Sequence, residues 1–175
     1  MKKIILLITF ILFVNATTPE DLKMCNDGIG EMCVVIGMEY ENPKRLEFYK
    51  KGCKFNDANG CELTADLFYE KYKGFYESKN KKEAIKYYKR GCELNSSKSC
   101  YMSGFFSEEE GKISEALDYY KKGCELNNGK SCFNLAELLS KTKKAEYYII
   151  KDYYKKACNL KVKSGCKKYD VLNFF

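Results

Sequence analysis

The sequence predicts an all-α fold, an αα-hairpin solenoid stapled by one disulfide in each repeat. Three observations lead there. The ten cysteines form five pairs of constant spacing, an aromatic-basic block precedes the first cysteine of four pairs, and turn-forming residues fill the interval inside them. The pairs are Cys25/Cys33, Cys53/Cys61, Cys92/Cys100, Cys124/Cys132 and Cys158/Cys166, each eight positions apart. From pair to pair the first cysteines advance by 28, 39, 32 and 34 residues. A fixed local spacing inside a variable longer period marks a repeat array.

The chain opens with Lys2 and Lys3, an apolar run from Ile4 to Val14, and then Asn15-Ala16. That is the layout of a signal peptide over residues 1–16, cut after Ala16, with residues 17–175 as the repeat domain. The apolar run is short of the roughly 20 residues that span a bilayer, so no stable membrane anchor is expected after cleavage. No cysteine flanks it, which argues against a lipid anchor. A secreted or periplasmic location follows, and there an even set of cysteines implies disulfides.

The first helix of each repeat is read from the block before the first cysteine. Five and four positions ahead of it stand Phe48-Tyr49, Tyr87-Tyr88, Tyr119-Tyr120 and Tyr153-Tyr154, followed by two basic residues and then Gly52, Gly91, Gly123 or Ala157. Ala84, Tyr88 and Gly91 fall at i, i+4 and i+7, one face of a helix, and Ala116, Tyr120 and Gly123 repeat it. Tyr88, Tyr120 and Tyr154 are therefore expected in the core. Thr18-Pro19 and Asn42-Pro43 each offer a cap followed by proline at the first helical position.

The helix cannot run on to the second cysteine. Eight residues of α-helix would set the two about 12 Å apart, whereas a disulfide tolerates a Cα separation of at most about 7 Å. The chain must reverse, and "KFNDANG", "ELNSSKS", "ELNNGKS" and "NLKVKSG" supply the Asn, Asp, Ser and Gly for the turn. Asn56, Asn95 and Asn127, each three places after a cysteine, are turn residues that could instead hold a peptide backbone. Pairing across the long connections would have to bridge 20, 31, 24 or 26 residues, so local pairing is expected. A second helix is expected to follow each second cysteine. Gly37, Ala65, Gly104 and Ala136 lie four places on, small enough to let helix backbones approach. The charged stretch 68–83, "FYEKYKGFYESKNKKE", reads as the longest link between paired helices. Loss of the Cys92/Cys100 bridge, which follows this link, is expected to cost more stability than loss of the terminal Cys25/Cys33 bridge.

Composition narrows the function. The formal charge of +7 falls to +5 when Lys2 and Lys3 leave with the signal, and the lysines alternate with glutamate. That is a solvated helix surface, so no nucleic-acid partner is expected. Histidine is absent, which removes histidine-based catalytic couples and histidine-ligated metal sites; no metal and no cofactor are expected.

The stretches "EAIKYYKRGCELNSSKSC", "EALDYYKKGCELNNGKSC" and "DYYKKACNLKVKSGC" resemble Sel1-like repeats, relatives of the tetratricopeptide repeat. With a cysteine pair per repeat, the chain resembles the secreted Helicobacter cysteine-rich, β-lactamase-like family. The resemblance implies an αα-solenoid with a concave groove, and a β-lactam or peptidoglycan-fragment ligand with slow hydrolysis. The family period is near 36 residues, the Gly-rich link survives only as Lys73-Gly74, and Ile150 replaces the expected alanine. The residues themselves give hydrolysis little support. Ser78/Lys81, Ser140/Lys143 and Ser164/Lys167 match the Ser-x-x-Lys spacing of serine β-lactamases, but no Ser-Asp-Asn or Lys-Thr-Gly partner accompanies them. The catalytic residues are unknown on this reading. The alternative is a peptide or protein partner held in the groove of a non-enzymatic binding module.

Overall fold

Thr18 begins the described fold by capping its first helix: its hydroxyl accepts from the Asp21 backbone N–H at 3.1 Å, and the Asp21 carboxylate accepts from the Thr18 N–H at 2.8 Å. This reciprocal pair satisfies two helix-terminal donors and holds the Asp21 carboxyl below its usual range. The computed structural model describes residues 17–75 and 78–173, so the signal segment 1–16 lies outside the described residues. Among these there are ten helices and no strand. They are α1 (Pro19–Asn26), α2 (Gly30–Glu39), α3 (Lys44–Lys54), α4 (Ala58–Phe75), α5 (Ser78–Glu93), α6 (Ser97–Glu109), α7 (Ile113–Glu125), α8 (Gly129–Thr142), α9 (Tyr147–Asn159) and α10 (Lys163–Asn173).

Consecutive helices form five αα-hairpins, and one disulfide closes each. Cys25 is joined to Cys33, Cys53 to Cys61, Cys92 to Cys100, Cys124 to Cys132 and Cys158 to Cys166, with Cα–Cα distances of 4.4 to 4.8 Å. The turn is tighter than the sequence suggests. The second helix does not follow the second cysteine but starts three residues before it, so Cys33, Cys61, Cys100, Cys132 and Cys166 all lie in the first turn of their helices. The reason is that each reversal needs only three residues between the helices and is completed by backbone bonds, joined at Asp57, Ser96 and Asn128 by a side-chain cap.

In α5–α6, Asn95 takes a left-handed φ of 70°. The Ser96 N–H donates to Gly91 O at 2.9 Å and the Asn95 N–H to Cys92 O at 3.0 Å. These two bonds define the Schellman ending of a helix. Ser96 then caps α6 by accepting from the Ser99 N–H at 3.1 Å. Asn127 and Asn128 repeat this pattern ahead of Cys132 in α8, and Asn56 and Asp57 ahead of Cys61 in α4. Asparagine tolerates the left-handed conformation better than other non-glycine residues, which is why it recurs three places after the cysteine. The last turn puts Lys161 there at φ 64°.

The chain divides into two compact units at Thr64 and Ala65, inside α4. In the unit up to Thr64, Cys25, Cys33 and Ile36 are fully buried among Met32, Tyr40, Phe48 and Phe55. Its α3 begins at Lys44, with Pro43 at the cap and no side-chain capping bond, one position later than Asn42-Pro43 predicts. Gly60 belongs to this unit, directly before Cys61, and a Cβ there would lie 2.6 Å from the Cys53 nitrogen. Only glycine lets the two helices cross so closely beside the Cys53–Cys61 bridge.

In the unit from Ala65 the hairpins stack in series, α6 on α7, α7 on α8, α8 on α9 and α9 on α10. Two core clusters result. One surrounds Ala65, Ala84, Tyr88 and Phe106; the other surrounds Ala116, Tyr120, Leu135, Leu138 and Ala157 and takes in Cys124 and Cys132. The face predicted from i, i+4, i+7 spacing is the buried one. Gly104 has a different job from the one its spacing suggests: a Cβ there would lie 2.6 Å from Tyr120 Cδ1, so it makes room for an aromatic ring, not a backbone. The stretch 68–83 is also different. α4 continues through Phe75 and α5 starts at Ser78, so apart from residues 76 and 77 the expected link is helix. No described helix is long and apolar enough to cross a membrane.

Candidate functional site

The buried tyrosines organise the surface of the second unit. Tyr88, Tyr120 and Tyr154 are at most 3% exposed, and a buried hydroxyl needs a partner. In each case that partner is a carboxylate: Tyr88 donates to Asp66 at 2.7 Å, Tyr120 to Glu108 at 2.9 Å and Tyr154 to Glu137 at 2.5 Å. Tyr120 also accepts from Asn134 Nδ2 at 3.2 Å. Burial, with the neighbouring carboxylate, pushes the Tyr120 and Tyr154 hydroxyls well above the usual phenol range. Burial also works against the charge on Glu137, but the Tyr154 hydroxyl and the Lys168 ammonium at 3.0 Å outweigh it. Its carboxyl stays below the usual range.

Two of these carboxylates line a cleft of about 480 Å³ between α6 and α8. Tyr101, Phe105, Glu108 and Glu109 come from α6, and Phe133, Asn134, Glu137 and Lys141 from α8. Tyr101 directly follows Cys100 and Phe133 directly follows Cys132, the second cysteines of their pairs. Each ring packs against the buried tyrosine of the next helix, Tyr101 on Tyr120 at 6.3 Å and Phe133 on Tyr154 at 5.8 Å. One device is thus built twice. An aromatic wall rests on a buried tyrosine, and that tyrosine orients an acid at the cleft.

A second cleft of about 540 Å³ opens beside it. Its walls are Ser97, Lys98, Tyr101 and Met102 of α6, the turn from Asn127 to Lys130 and the turn from Leu160 to Val162. Lys130 lies over the Tyr101 ring, 5.8 Å from its centroid. Tyr101 therefore separates the two clefts.

The residues singled out from sequence fall elsewhere. Cys25, Cys33, Cys53, Cys61, Cys92, Cys100, Cys124 and Cys132 are buried at the hairpin turns, while Cys158 and Cys166 are only half-buried. None of the ten lines either cleft. Cys61 and Cys132, at 0% exposure, can meet no ligand; their sulfurs are committed to Cys53 and Cys124. Asn56, Asn95 and Asn127 serve as left-handed turn residues, and of these only Asn127 borders a cleft. Ser140, Lys143, Ser164 and Lys167 are exposed and line neither cleft; the Ser78 side chain lies outside the described residues. Among the described residues no group of three or more acidic or cysteine side chains is placed to hold a metal ion. Glu108 and Glu137 escape a reading by spacing, since they stand eight and five places after Cys100 and Cys132. The available signal is chemical: a core tyrosine requires an acceptor one helix away.

Hairpin repeats with this packing have the fold of Sel1-like, tetratricopeptide-related repeats. A tetratricopeptide repeat is matched directly over residues 97–130. Three solved structures share the fold. A protective antigen from uropathogenic Escherichia coli displaying an SLR fold has a TM-score of 0.64 at 19% identity, covering 78% of this chain and 32% of that one. A Sel1 repeat protein from Oxalobacter formigenes has a TM-score of 0.63 at 21% identity, covering 85% and 64%. Helicobacter pylori cysteine rich protein B has a TM-score of 0.51 at 23% identity, covering 65% and 87%. The chain thus spans about a third of the first and just under two thirds of the second. No curated protein sequence matches it. Five disulfides and no free cysteine suit an oxidising, extracytoplasmic compartment.

Proposed function

We propose that the chain is an exported repeat module that binds a peptide or protein segment in the cleft between α6 and α8. The observation carrying this reading is the twice-built wall of that cleft, where Tyr101 and Phe133 offer apolar faces beside fixed carboxylates. Repeat arrays use surfaces of this kind to hold extended partners, and aromatic faces with a few placed polar groups are what such a site needs. Replacing Phe133, a half-buried cleft residue, by alanine should weaken binding of a selected peptide at least about tenfold, as truncation of a central aromatic does. Unchanged affinity in a folded variant would move the site elsewhere.

Export rests on the signal-like residues 1–16, and N-terminal sequencing of the mature protein should begin at Thr17. A second reading comes from the resemblance of the cysteine-paired repeats to the β-lactamase-like family: a β-lactam or muropeptide ligand, with slow hydrolysis. Nitrocefin turnover by the oxidised protein that survives replacement of Ser78, Ser140 and Ser164 by alanine would support a site outside the Ser-x-x-Lys matches. Absence of turnover would leave the binding module alone.

A further inference from the structure

The two clefts that meet at Tyr101 carry opposite charge. Glu108, Glu109 and Glu137 line the first against the single ammonium of Lys141, whereas no carboxylate lines the second, which holds Lys98, Lys130 and Lys161. Glu109 pairs with Lys81 and Lys98 with Asp66. The groups best placed to meet a ligand are therefore Glu108, together with Glu137, whose pair with Lys168 engages Oε1 alone, on one side of Tyr101, and Lys130 and Lys161 on the other.

The two acids are held in a half-satisfied state. Glu108 accepts from Tyr120 through Oε2, and Glu137 accepts from Tyr154 and pairs with Lys168 through Oε1. Glu108 Oε1 and Glu137 Oε2 have no hydrogen-bond partner among the described residues. A carboxylate oriented in this way costs little further ordering when a cationic donor arrives, and the neighbouring faces of Tyr101 and Phe133 add attraction for a cation. Tyr101 already carries one ammonium, that of Lys130. On the other side, Lys130 and Lys161 stand beside the start of α8, where the positive helix end reinforces attraction for an acid.

Resting on the peptide-binding reading above, we propose that the partner is an extended peptide lying across Tyr101, with a lysine or arginine in the first cleft and an aspartate or glutamate in the second. Spanning one tyrosine and reaching into both clefts takes roughly two to four residues of extended chain at about 3.3 Å each. The recognised pattern is then a basic and an acidic residue two to four places apart.

The test is selection of a random peptide library displayed on phage against the full oxidised protein, followed by fluorescence anisotropy with the synthetic binders. Enriched peptides should pair a basic with an acidic residue at that spacing. Glu108→Gln with Glu137→Gln keeps an acceptor for each tyrosine hydroxyl and gives up the Glu137–Lys168 pair, so the variant should stay folded with a small drop in melting temperature while affinity falls at least about tenfold, the scale of a lost charge-assisted contact. Lys130→Gln with Lys161→Asn should weaken the same peptides, and replacing the peptide's own acid by its amide should erase that second effect. Enriched binders that lack the charge pair, yet lose affinity on Phe133→Ala, would overturn this inference and leave the peptide-binding reading standing. Binders indifferent to Phe133→Ala, or no enriched binder at all, would overturn both.

Discussion

Opening a bridge by changing both of its cysteines to alanine tests what the disulfides contribute. Every loop has the same length, a sequence separation of 8, so the chain-entropy term is about 2.5 kcal/mol for each. Any difference between bridges must come from the folded state. Cys92 and Cys100 are 1% and 0% exposed, and truncating two packed side chains adds about 1 kcal/mol apiece. Their loss should cost about 4.5 kcal/mol. Cys124 and Cys132 are buried to the same degree and should behave alike. Cys158 and Cys166 are half-buried, and their neighbourhood can relax or admit water, so their loss should cost about 3 kcal/mol, close to the loop term alone. All three bridges lie in the unit from Ala65 onward, which makes the comparison fair. Urea unfolding followed by circular dichroism measures them, provided the slope with denaturant is unchanged. Within this unit, graded reduction with thiol mapping should open Cys158–Cys166 first. A variant at Cys158 and Cys166 that loses as much as the Cys92 and Cys100 variant would refute the argument, since burial would then not set the difference. Cys25 and Cys33 lie in the other unit, buried in a core of their own, so melting of the Cys25 and Cys33 variant is a separate test of whether the terminal bridge costs less than Cys92–Cys100.

Gly104→Ala should destabilise despite the better helix propensity of alanine, about 1 kcal/mol. The new methyl meets the Tyr120 ring at 2.6 Å, and that ring is fully buried and tethered at its hydroxyl. Overpacking of this kind costs about 1–3 kcal/mol, so thermal melting should drop by a few degrees, whereas Gly74→Ala, with open space around it, should raise it slightly. Lys161→Asn should stabilise by up to about 1 kcal/mol, because Lys161 sits at φ 64° where the other turns use asparagine or glycine; a lower denaturation midpoint would contradict this. The Glu137 carboxyl is depressed from its ordinary 4.5, so its contribution is present above about pH 4.5 and is lost as the pH falls through the folded value. Glu137→Gln should flatten that part of the acid limb in a stability–pH series. Tyr120 and Tyr154 are raised from 10.0, so their contribution is full below pH 10 and is lost above it as the unfolded phenols ionise. Phenolate absorbance in the folded protein should lag behind that of free tyrosine, and coincident titration would contradict the buried hydroxyl bonds.

The repeat character, the helical class and the hairpin at each cysteine pair are legible in the sequence because they depend on local chemistry. A spacing of eight between cysteines forces a reversal, asparagine suits the left-handed turn residue, and i, i+4, i+7 spacing marks the buried face. Those signals act within about ten residues, the reach of a helix turn and its caps. They fail at the exact helix start, where Cys61 and Cys132 belong to the second helix and not to the turn ahead of it, because three residues suffice for the reversal. They fail again where two helices must be placed against each other. Gly104 reads as a backbone contact until the fold sets Tyr120 over it, and the charged stretch 68–83 reads as a link until its helices form. The clefts are hidden for the same reason. Glu108 and Glu137 come from different repeats, and they are oriented by Tyr120 and Tyr154 from the helices that follow. Only stacking of successive hairpins brings an acid, an aromatic wall and a buried hydroxyl together. The sequence by itself determined where the chain turns and which face it buries; the tertiary structure decided which exposed side chains become neighbours, because that depends on helix packing across repeats of unequal length.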